Sequence, residues 1–183
     1  DDDAVVGPAV QALVLPKVES AAFVQDVSAH LNLLEAGRGM GPGQTWLLLQ
    51  IEDVRALPHL DAIAAAGPRV LGLSLGSEDF SASAGMVPVP EALLWPNQMV
   101  QFACQRAGVL PFGFPASIAD FADQAAFRRH AQLARQLGFV GALCIHPSQV
   151  APLNEAFSPT NAEVEEAHGV IDARGAHGRP VDL

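Results

Sequence analysis

Short, continuously apolar runs recur along the chain, each followed by a longer segment whose apolar residues have helical spacing. The runs are predicted strands, because a strand covered on both faces is apolar throughout. They lie at residues 12–15, 46–51, 70–75, 109–114 and 141–145. The predicted helices between them lie at residues 20–34, 54–66, 91–107 and 123–137. Since parallel strands need crossover connections of this kind, the alternation predicts an α/β protein with a parallel sheet and packed helices.

Local signals refine this prediction. Ser20 is a suitable N-cap for the first helix, because its hydroxyl can accept a hydrogen bond from the first turn. Residues 76–90, rich in serine, glycine and proline, are predicted to form a loop. From Pro147 onward the chain is predicted to form short helices. Cys104 and Cys144 fall in apolar surroundings and are predicted to be small buried residues.

Two architectures fit the alternation: an open doubly wound sheet, or part of a (β/α)8 barrel. A complete barrel usually needs about 250 residues. The chain has 183 residues, so a barrel interpretation requires strands beyond those in this sequence.

Composition excludes several classes of protein. Hydrophobic residues make up 50% of the chain and charged residues 16%, which rules out overall disorder. The net charge of −10 makes broad binding to nucleic acids or anionic membranes a poor prospect. The two cysteines are too few for a disulfide framework, and no apolar run is long enough to span a bilayer. With no signal peptide at its start, the chain is predicted to be a soluble, cytoplasmic protein.

Polar side chains close the predicted strands, where parallel α/β proteins place their active sites. Glu52 and Asp79 follow neighbouring strands and lie 27 residues apart. Two carboxylates that converge there can hold a divalent cation, with waters and substrate oxygens completing an octahedron, which suits Mg2+. The alternative is that each carboxylate caps the helix that follows it.

Two further residues at the strand ends have open interpretations. Gly76 either lets a ligand approach the backbone closely or serves the turn alone. His146 is either a general base or substrate contact, or a residue that fixes the turn at Pro147. The sequence contains no phosphate-binding P-loop and no convincing dinucleotide-binding glycine motif after a strand.

Several motifs, taken together, resemble the HpcH/HpaI aldolase and citrate lyase beta-subunit family. In chain order they are LPKVES at residues 15–20, QIE at 50–52, GSEDFSASAG at 76–85, GFVG at 138–141 with IHPSQV at 145–150, and GRPVD at 178–182. The resemblance covers essentially the whole chain, in the family's order. It is closer to citrate-lyase-like proteins than to pyruvate aldolases.

The resemblance implies a (β/α)8 barrel that binds Mg2+ and makes or breaks a carbon–carbon bond. Its implied substrates are a 2-oxo acid and an acyl thioester, carried by coenzyme A or by an acyl carrier protein. By motif, Glu52 and Asp79 match the two Mg2+ ligands. Asp182 matches a carboxylate near the C terminus that, in related lyases, acts as an acid/base in a neighbouring subunit's site. The expected substrate-binding residues are Lys17, Glu19, Gly76 and Ser77.

Aligned to the family, the chain is expected to cover barrel strands 4–8 and the C-terminal helices. Residues 1–157 are then a partial barrel and residues 158–183 a helical extension. The family's substrate-binding arginine falls in the part before this sequence. We therefore expect either a fragment of a longer chain or a truncated relative, and a homo-oligomer, trimer or hexamer. The alternatives are a non-catalytic half barrel that acts as a binding or assembly partner, and an unrelated open α/β binding protein.

Overall fold

The fold is built on a parallel sheet of four strands in the order β1-β2-β3-β4, seen in a computed structural model that describes residues 6–119 and 122–175. The strands are β1 (Ala12–Leu15), β2 (Trp46–Ile51), β3 (Val70–Leu75) and β4 (Leu110–Phe112). The helices are α1 (Ala21–Gly37), α2 (Leu60–Ala64), α3 (Ser77–Ala84), α4 (Pro90–Ala107), α5 (Gln124–Gln136), α6 (Val150–Phe157) and α7 (Asn161–Gly175). Two short 3-10 helices span Val54–His59 and Pro147–Gln149. The predicted parallel α/β sheet is confirmed.

The helices begin and end for local reasons. Ser20 is the N-cap of α1, with its Oγ accepting a hydrogen bond from the Phe23 N–H at 3.3 Å. The helix predicted over residues 54–66 is instead a 3-10 helix followed by the short α2. Pro58 lies inside this segment and has no N–H to donate, so one hydrogen bond of an α-helical ladder is missing there, which favours the shorter elements.

The loop predicted after β3 was wrong in its first half, because residues 77–84 form α3. Its serines were counted as turn residues, although serine is tolerated in a short helix; Ser77 and Ser81 are buried in α3. Gly85 ends α3 in the left-handed conformation, with φ of 66°, which a glycine adopts without strain.

A fifth strand over residues 141–145 does not form, and that prediction was wrong. Gly141 makes only an isolated bridge to Phe112. The side chain of Gln149 then takes the backbone N–H groups of Ile145 and His146, at 2.8 and 3.0 Å, which a strand would give to its neighbour. Cys144 in this segment is exposed, contrary to the prediction, whereas Cys104 is buried.

One face of the sheet is the main core. Inward-facing residues of β2 and β3 pack with apolar residues of α1, α2 and α4, among them Leu49, Leu73 and Leu31. A second, smaller core joins the segment after β4 to α5 and α6, with Phe114 stacked on Phe127 at a centroid distance of 4.7 Å.

The opposite face of the sheet is only partly covered in the described part of the chain, where Leu48 and Ser74 are buried on it. Val14, Trp46 and Leu110 are exposed there, on three different strands. The expectation that both faces are covered is therefore wrong for these residues. In a closed barrel this face would be the interior. The barrel itself, and the division at residue 157, remain predictions.

A buried ion pair lies at the amino-terminal edge of the sheet. Arg69, which precedes β3, pairs with Glu35 of α1, and both side chains are almost fully buried. The Glu35 carboxylate also accepts the N–H groups of Thr45 and Gly43, each at 2.8 Å. Hydrogen bonds from Arg69 lower the pKa of Glu35 to about 2, aided by those two backbone groups.

None of the helices in the described ranges combines the length and hydropathy needed to cross a bilayer.

Candidate functional site

Three neighbouring strands deliver polar side chains to one place at their carboxyl ends. Glu52 follows β2 directly, Asp79 lies in the first turn of α3 after β3, and Lys17 follows β1. The Lys17 backbone N–H donates to Glu52 Oε2 at 3.0 Å, and Lys17 Nζ lies 3.0 Å from Asp79 Oδ2. The structure therefore brings together the two carboxylates that the sequence singled out, with an ammonium group beside them.

The backbone at the strand ends fixes this arrangement. Lys17 adopts a left-handed conformation, with φ of 54°, and gives its N–H to the Glu52 side chain. The next residue, Val18, donates to Gln50 O at 3.1 Å, so the segment after β1 stays attached to β2. On the other side, Gly76 donates to Ile51 O at 2.9 Å.

Gly76 is in close contact with the Glu52 side chain. A Cβ atom at this position would lie 2.7 Å from Glu52 Cγ and 3.0 Å from Glu52 Oε1. Its φ of −83° is open to any residue, so glycine is needed here for space and not for a turn. Gly76 thus lets Glu52 sit against the start of α3.

The helix-capping alternative fails for Glu52. It is Asp53 that caps the following 3-10 helix, accepting the Arg55 N–H on Oδ1 at 2.8 Å. The Glu52 carboxylate contacts Lys17 instead. Asp79 makes no capping hydrogen bond, although its place in the first turn of α3 also suits the helix dipole.

The acidic groups at this rim differ in how far neighbouring cations and N–H donors compensate their negative charge. Hydrogen bonds from Arg55 lower the pKa of Asp53 to about 2, and Arg55 also lies 3.1 Å from Glu19. Burial raises the pKa of Glu52 above its usual value, and the nearby Asp79 charge adds to this, against the opposing contacts of Lys17. The hydrogen bond to Asp79 raises the pKa of Lys17. The charge of Glu52 is therefore less well compensated than that of Asp53.

A pocket of about 230 Å³ opens over these groups. It is lined by Lys17, Glu19, Glu52, Asp53, Asp79, Ala82 and Ser83. Within the described ranges, no three His, Cys, Asp or Glu side chains are grouped to hold a metal ion. Two carboxylates and an open pocket fit Mg2+, which keeps several waters and takes substrate oxygens. A larger cleft of about 630 Å³ lies away from the strand ends, between α5, α6 and α7.

The other predicted substrate-binding residues have different positions. Glu19 lines the pocket but is held by Arg55. Ser77 is buried, and its hydroxyl lies 3.4 Å from Glu78 Oε1, so it is not part of the pocket lining. Asp182 lies outside the described residues.

His146 acts locally in its turn. Its Nδ1 accepts the Ser148 N–H at 3.2 Å, and together with Gln149 it forms a capping box at the 3-10 helix Pro147–Gln149. This geometry supports the interpretation that His146 fixes the turn at Pro147.

Sequence reasoning missed two contacts at the rim. Ser83 Oγ accepts the Val54 N–H at 2.8 Å, which ties α3 to the segment after β2. Ser117 Oγ donates to Glu78 Oε1 at 2.6 Å, which ties α3 to the segment after β4. The sequence hints at these two contacts only through the serine and glutamate residues that follow the strands. Such residues are too common after strands to indicate a specific contact.

Comparison with known proteins gives a consistent result. The family model HpcH/HpaI aldolase/citrate lyase matches residues 1–147. The L-malyl-CoA/beta-methylmalyl-CoA lyase of Rhodobacter capsulatus is 34% identical, over 90% of this chain and 57% of that protein. The citrate lyase subunit beta of Escherichia coli K12 is 33% identical, over 98% of this chain and 59% of that protein. The chain thus spans less than two thirds of the length of these relatives.

Solved structures show the same relationship. RipC from Yersinia pestis superposes with a TM-score of 0.73 and 33% identity, over 84% of this chain and 66% of that one. CitE from Mycobacterium tuberculosis, in complex with magnesium, acetoacetate and coenzyme A, gives a TM-score of 0.67 at 25% identity, over 96% of this chain and 61% of that one. The chain belongs to the HpcH/HpaI aldolase/citrate lyase family.

Proposed function

We propose that the protein is a Mg2+-dependent carbon–carbon lyase of the citrate lyase beta-subunit type. It would cleave or form a 3-hydroxy acyl thioester, with a smaller thioester and a 2-oxo acid as the other partners. This proposal rests on one observation. Glu52 and Asp79 lie at the ends of neighbouring strands, and both contact Lys17. Relatives named as lyases of malyl-CoA and of citrate support the substrate class.

Glu52 and Asp79 would hold the Mg2+ ion. Supporting this are the two carboxylates at the pocket, whose oxygens Mg2+ prefers, and the charge of Asp79 near Glu52, which a bound cation would offset. When bound, the metal would supply Lewis-acid stabilisation of charge on the carbonyl and carboxylate oxygens of the oxo acid. The M. tuberculosis relative solved with magnesium supports the choice of metal.

The chain's own residues would bind and orient the substrate. Lys17 carries an exposed ammonium group at the pocket and would attract the anionic oxo acid. The first N–H groups of α3 lack acceptors within the helix, so Ser77 would offer a donor to a substrate oxygen. The Gly76 N–H already donates to Ile51 O, so Gly76 would instead allow the substrate to approach the backbone closely. Arg55 holds Glu19 and Asp53, which keeps these two acids from competing for the metal.

Asp182 would move the proton to or from the carbon of the thioester that becomes an enolate in cleavage. Its position near the C terminus, in a motif shared with related lyases, supports this role. The thioester would be carried by coenzyme A or by an acyl carrier protein. Coenzyme A is favoured by the M. tuberculosis structure that contains it.

The test compares Glu52→Gln and Asp79→Asn with the unmodified protein. We expect both substitutions to remove Mg2+ binding, measured by calorimetry, and to reduce the cleavage of L-malyl-CoA and related thioesters by at least about 100-fold. Glu155→Gln is the matched control, because Glu155, like Asp79, is an exposed carboxylate in an ion pair, here with Arg128 and far from the strand ends. Activity retained in either rim variant would contradict the proposal.

A second candidate is a non-catalytic relative that acts as a binding or assembly partner. The observation that favours it is the partly open apolar face of the sheet, with Val14, Trp46 and Leu110 exposed. It predicts that Mg2+ binds weakly or not at all and that no thioester is cleaved under any condition tested. Mg2+-dependent cleavage that is lost with Glu52→Gln would exclude it.

A further inference from the structure

One arginine holds two of the four acids that line the candidate pocket. The four acids are Glu19, Glu52, Asp53 and Asp79. Arg55 Nε lies 3.0 Å from Asp53 Oδ1, and Arg55 Nη2 lies 2.8 Å from Asp53 Oδ2, so the guanidinium grips both oxygens of this carboxylate. The same Nη2 lies 3.1 Å from Glu19 Oε1. A single side chain therefore fixes Glu19 and Asp53 together.

The contacts of Arg55 explain why the acids of this pocket do not form a larger cluster. Among the described residues, no three His, Cys, Asp or Glu side chains are grouped to hold a metal ion, although four acids line the pocket. To become a metal ligand, Asp53 would have to give up hydrogen bonds between opposite charges, which are stronger than neutral ones. Asp79 is contacted by the Lys17 ammonium, a point charge on a flexible side chain that moves aside more easily than a guanidinium fork. The two acids held by Arg55 are thus the less available ones.

The number of available carboxylates decides which divalent cation a pocket of oxygen ligands prefers. Mg2+ is bound through one or two carboxylates and keeps several waters in a strict octahedron. Ca2+ takes about six to eight oxygens in a flexible arrangement, and its affinity rises with the number of charged ligands. With Glu52 and Asp79 available, the pocket suits Mg2+. With Glu19 and Asp53 released as well, it would offer up to four carboxylates and suit Ca2+ better.

We propose that Arg55 sets the metal selectivity of the pocket. By holding Glu19 and Asp53, it leaves the cation to the other two acids. The inference rests on the proposed function, because it takes the Mg2+ site of Glu52 and Asp79 as given. Arg55 is a positioning residue, since its own charge repels a cation and it acts through the two acids. Its side chain is 70% exposed, and exposed ion pairs add little to stability, so its contacts serve the pocket more than the fold.

The first test compares the dissociation constants of Mg2+ and Ca2+, both measured by calorimetry, in the unmodified protein and in Arg55→Met. Both cations carry two charges, so the loss of the arginine charge changes the two affinities alike and cancels in their ratio. The released acids add ligands that Ca2+ can use, so we expect the ratio of the Ca2+ to the Mg2+ dissociation constant to fall by about 10-fold or more. A ratio that does not fall overturns the proposal.

Two further variants separate the released acids from other effects of the substitution. Arg55→Lys keeps the charge, but an ammonium cannot hold two carboxylates in a fork, so the ratio should fall here as well. Adding Glu19→Gln and Asp53→Asn to Arg55→Met removes both released charges and should return the ratio most of the way to that of the unmodified protein. An unmoved ratio in the lysine variant, or a triple variant that keeps the lowered ratio, would also overturn the proposal.

Arg106→Met is the matched control, and it should leave the ratio unchanged. Arg106 is also an exposed arginine paired with an acid, Asp61, but it lies in the last turn of α4, which leads into the start of β4 at the opposite end of the sheet. The calorimetry also separates this inference from the proposed function. An unmodified protein that binds no Mg2+, or a Glu52→Gln variant that binds it equally well, overturns both. Mg2+ binding that requires Glu52, with an unmoved ratio in Arg55→Met, overturns only the role of Arg55.

Discussion

The two ends of the sheet carry carboxylates whose surroundings shift their pKa values in opposite directions. At the amino-terminal edge, Glu35 is buried and receives Arg69 and two backbone N–H groups, and its pKa falls to about 2. At the carboxyl-terminal rim, burial raises the pKa of Glu52, and the charge of the neighbouring Asp79 adds to the rise. The first carboxylate is compensated by an arginine and two backbone N–H groups, whereas the second has only the contacts of Lys17 and also faces another acid. The contrast separates an ion pair that stabilises the fold from a pair suited to bind a cation.

The largest effect is expected from Arg69→Met. This substitution leaves the Glu35 charge buried without its partner, and breaking one side of a buried pair costs about 3–5 kcal/mol of unfolding free energy. Urea denaturation at pH 7 measures the loss. Adding Glu35→Gln to the Arg69 variant should recover part of it, because the uncompensated charge is then gone. A loss below about 1 kcal/mol would mean that the two ends of the sheet do not differ in this way.

At the carboxyl-terminal rim, removing a charge should change the free energy of unfolding very little. Glu52→Gln removes a charge that repels Asp79 and keeps an acceptor for the Lys17 N–H, so stability should stay within about 1 kcal/mol of the unmodified protein. Mg2+ at 100 times its dissociation constant should stabilise the unmodified protein by about 2.7 kcal/mol and this variant not at all. Thermal unfolding with and without Mg2+ measures both. Equal stabilisation of the two proteins would place the metal elsewhere.

Gly76→Ala sharpens the comparison without changing any charge. The added Cβ would meet Glu52 Cγ at 2.7 Å and must displace it, at a cost of about 1–2 kcal/mol. We also expect weaker Mg2+ binding, since the carboxylate moves. Gly67→Ala is the control, because a Cβ there meets nothing within 4 Å. Calorimetric titration with Mg2+ distinguishes the two variants, and unchanged binding in the Gly76 variant would argue against Glu52 as a ligand.

The smallest effect is the dependence of stability on acid pH. The pKa of Glu35 is about 2 in the fold, below its ordinary value of 4.5, so its contribution is complete above pH 4.5 and is lost as the pH falls toward 2. Between pH 7 and pH 4 this amounts to about 1 kcal/mol. Glu52 has the opposite sign, because its raised pKa means that the fold gains stability as this group takes up a proton.

Denaturation curves from pH 7 to pH 4 measure both contributions. We expect Glu35→Gln to flatten the pH dependence and Glu52→Gln to steepen the loss toward acid. The reverse pattern would show that the two pKa shifts are assigned to the wrong carboxylates.

The sequence was informative where one signal dominated. The bounds of β1, β2 and β3 agree with the predicted apolar runs, because alternate residues of each strand pack into or against the main core and must be apolar. The same signal failed at residues 141–145, where the Gln149 side chain takes the backbone N–H groups. A contact made by one glutamine side chain leaves no periodic pattern in the sequence, so the sequence does not indicate that these N–H groups are taken.

The candidate site was predictable for a similar reason. Strand ends converge in any parallel sheet, and the proximity of Glu52 and Asp79 followed from that alone. Their role as metal ligands stays a prediction. The Glu35–Arg69 pair was not foreseen, since its residues are 34 positions apart and come from different elements. The left-handed backbone of Lys17 was also not foreseen, because it is set by the contact with Glu52.

The different surroundings of the two cysteines make the protein suitable for selective labelling. Burial raises the pKa of the Cys104 thiol to about 11, so this sulfur stays protonated and shielded from reagents at neutral pH. Cys144 is exposed and lies between α5 and the 3-10 helix Pro147–Gln149, two residues before His146. A maleimide dye should therefore attach at Cys144 in a protein made of these 183 residues. Its emission would then report on changes near the carboxyl ends of the strands, without any engineered residue.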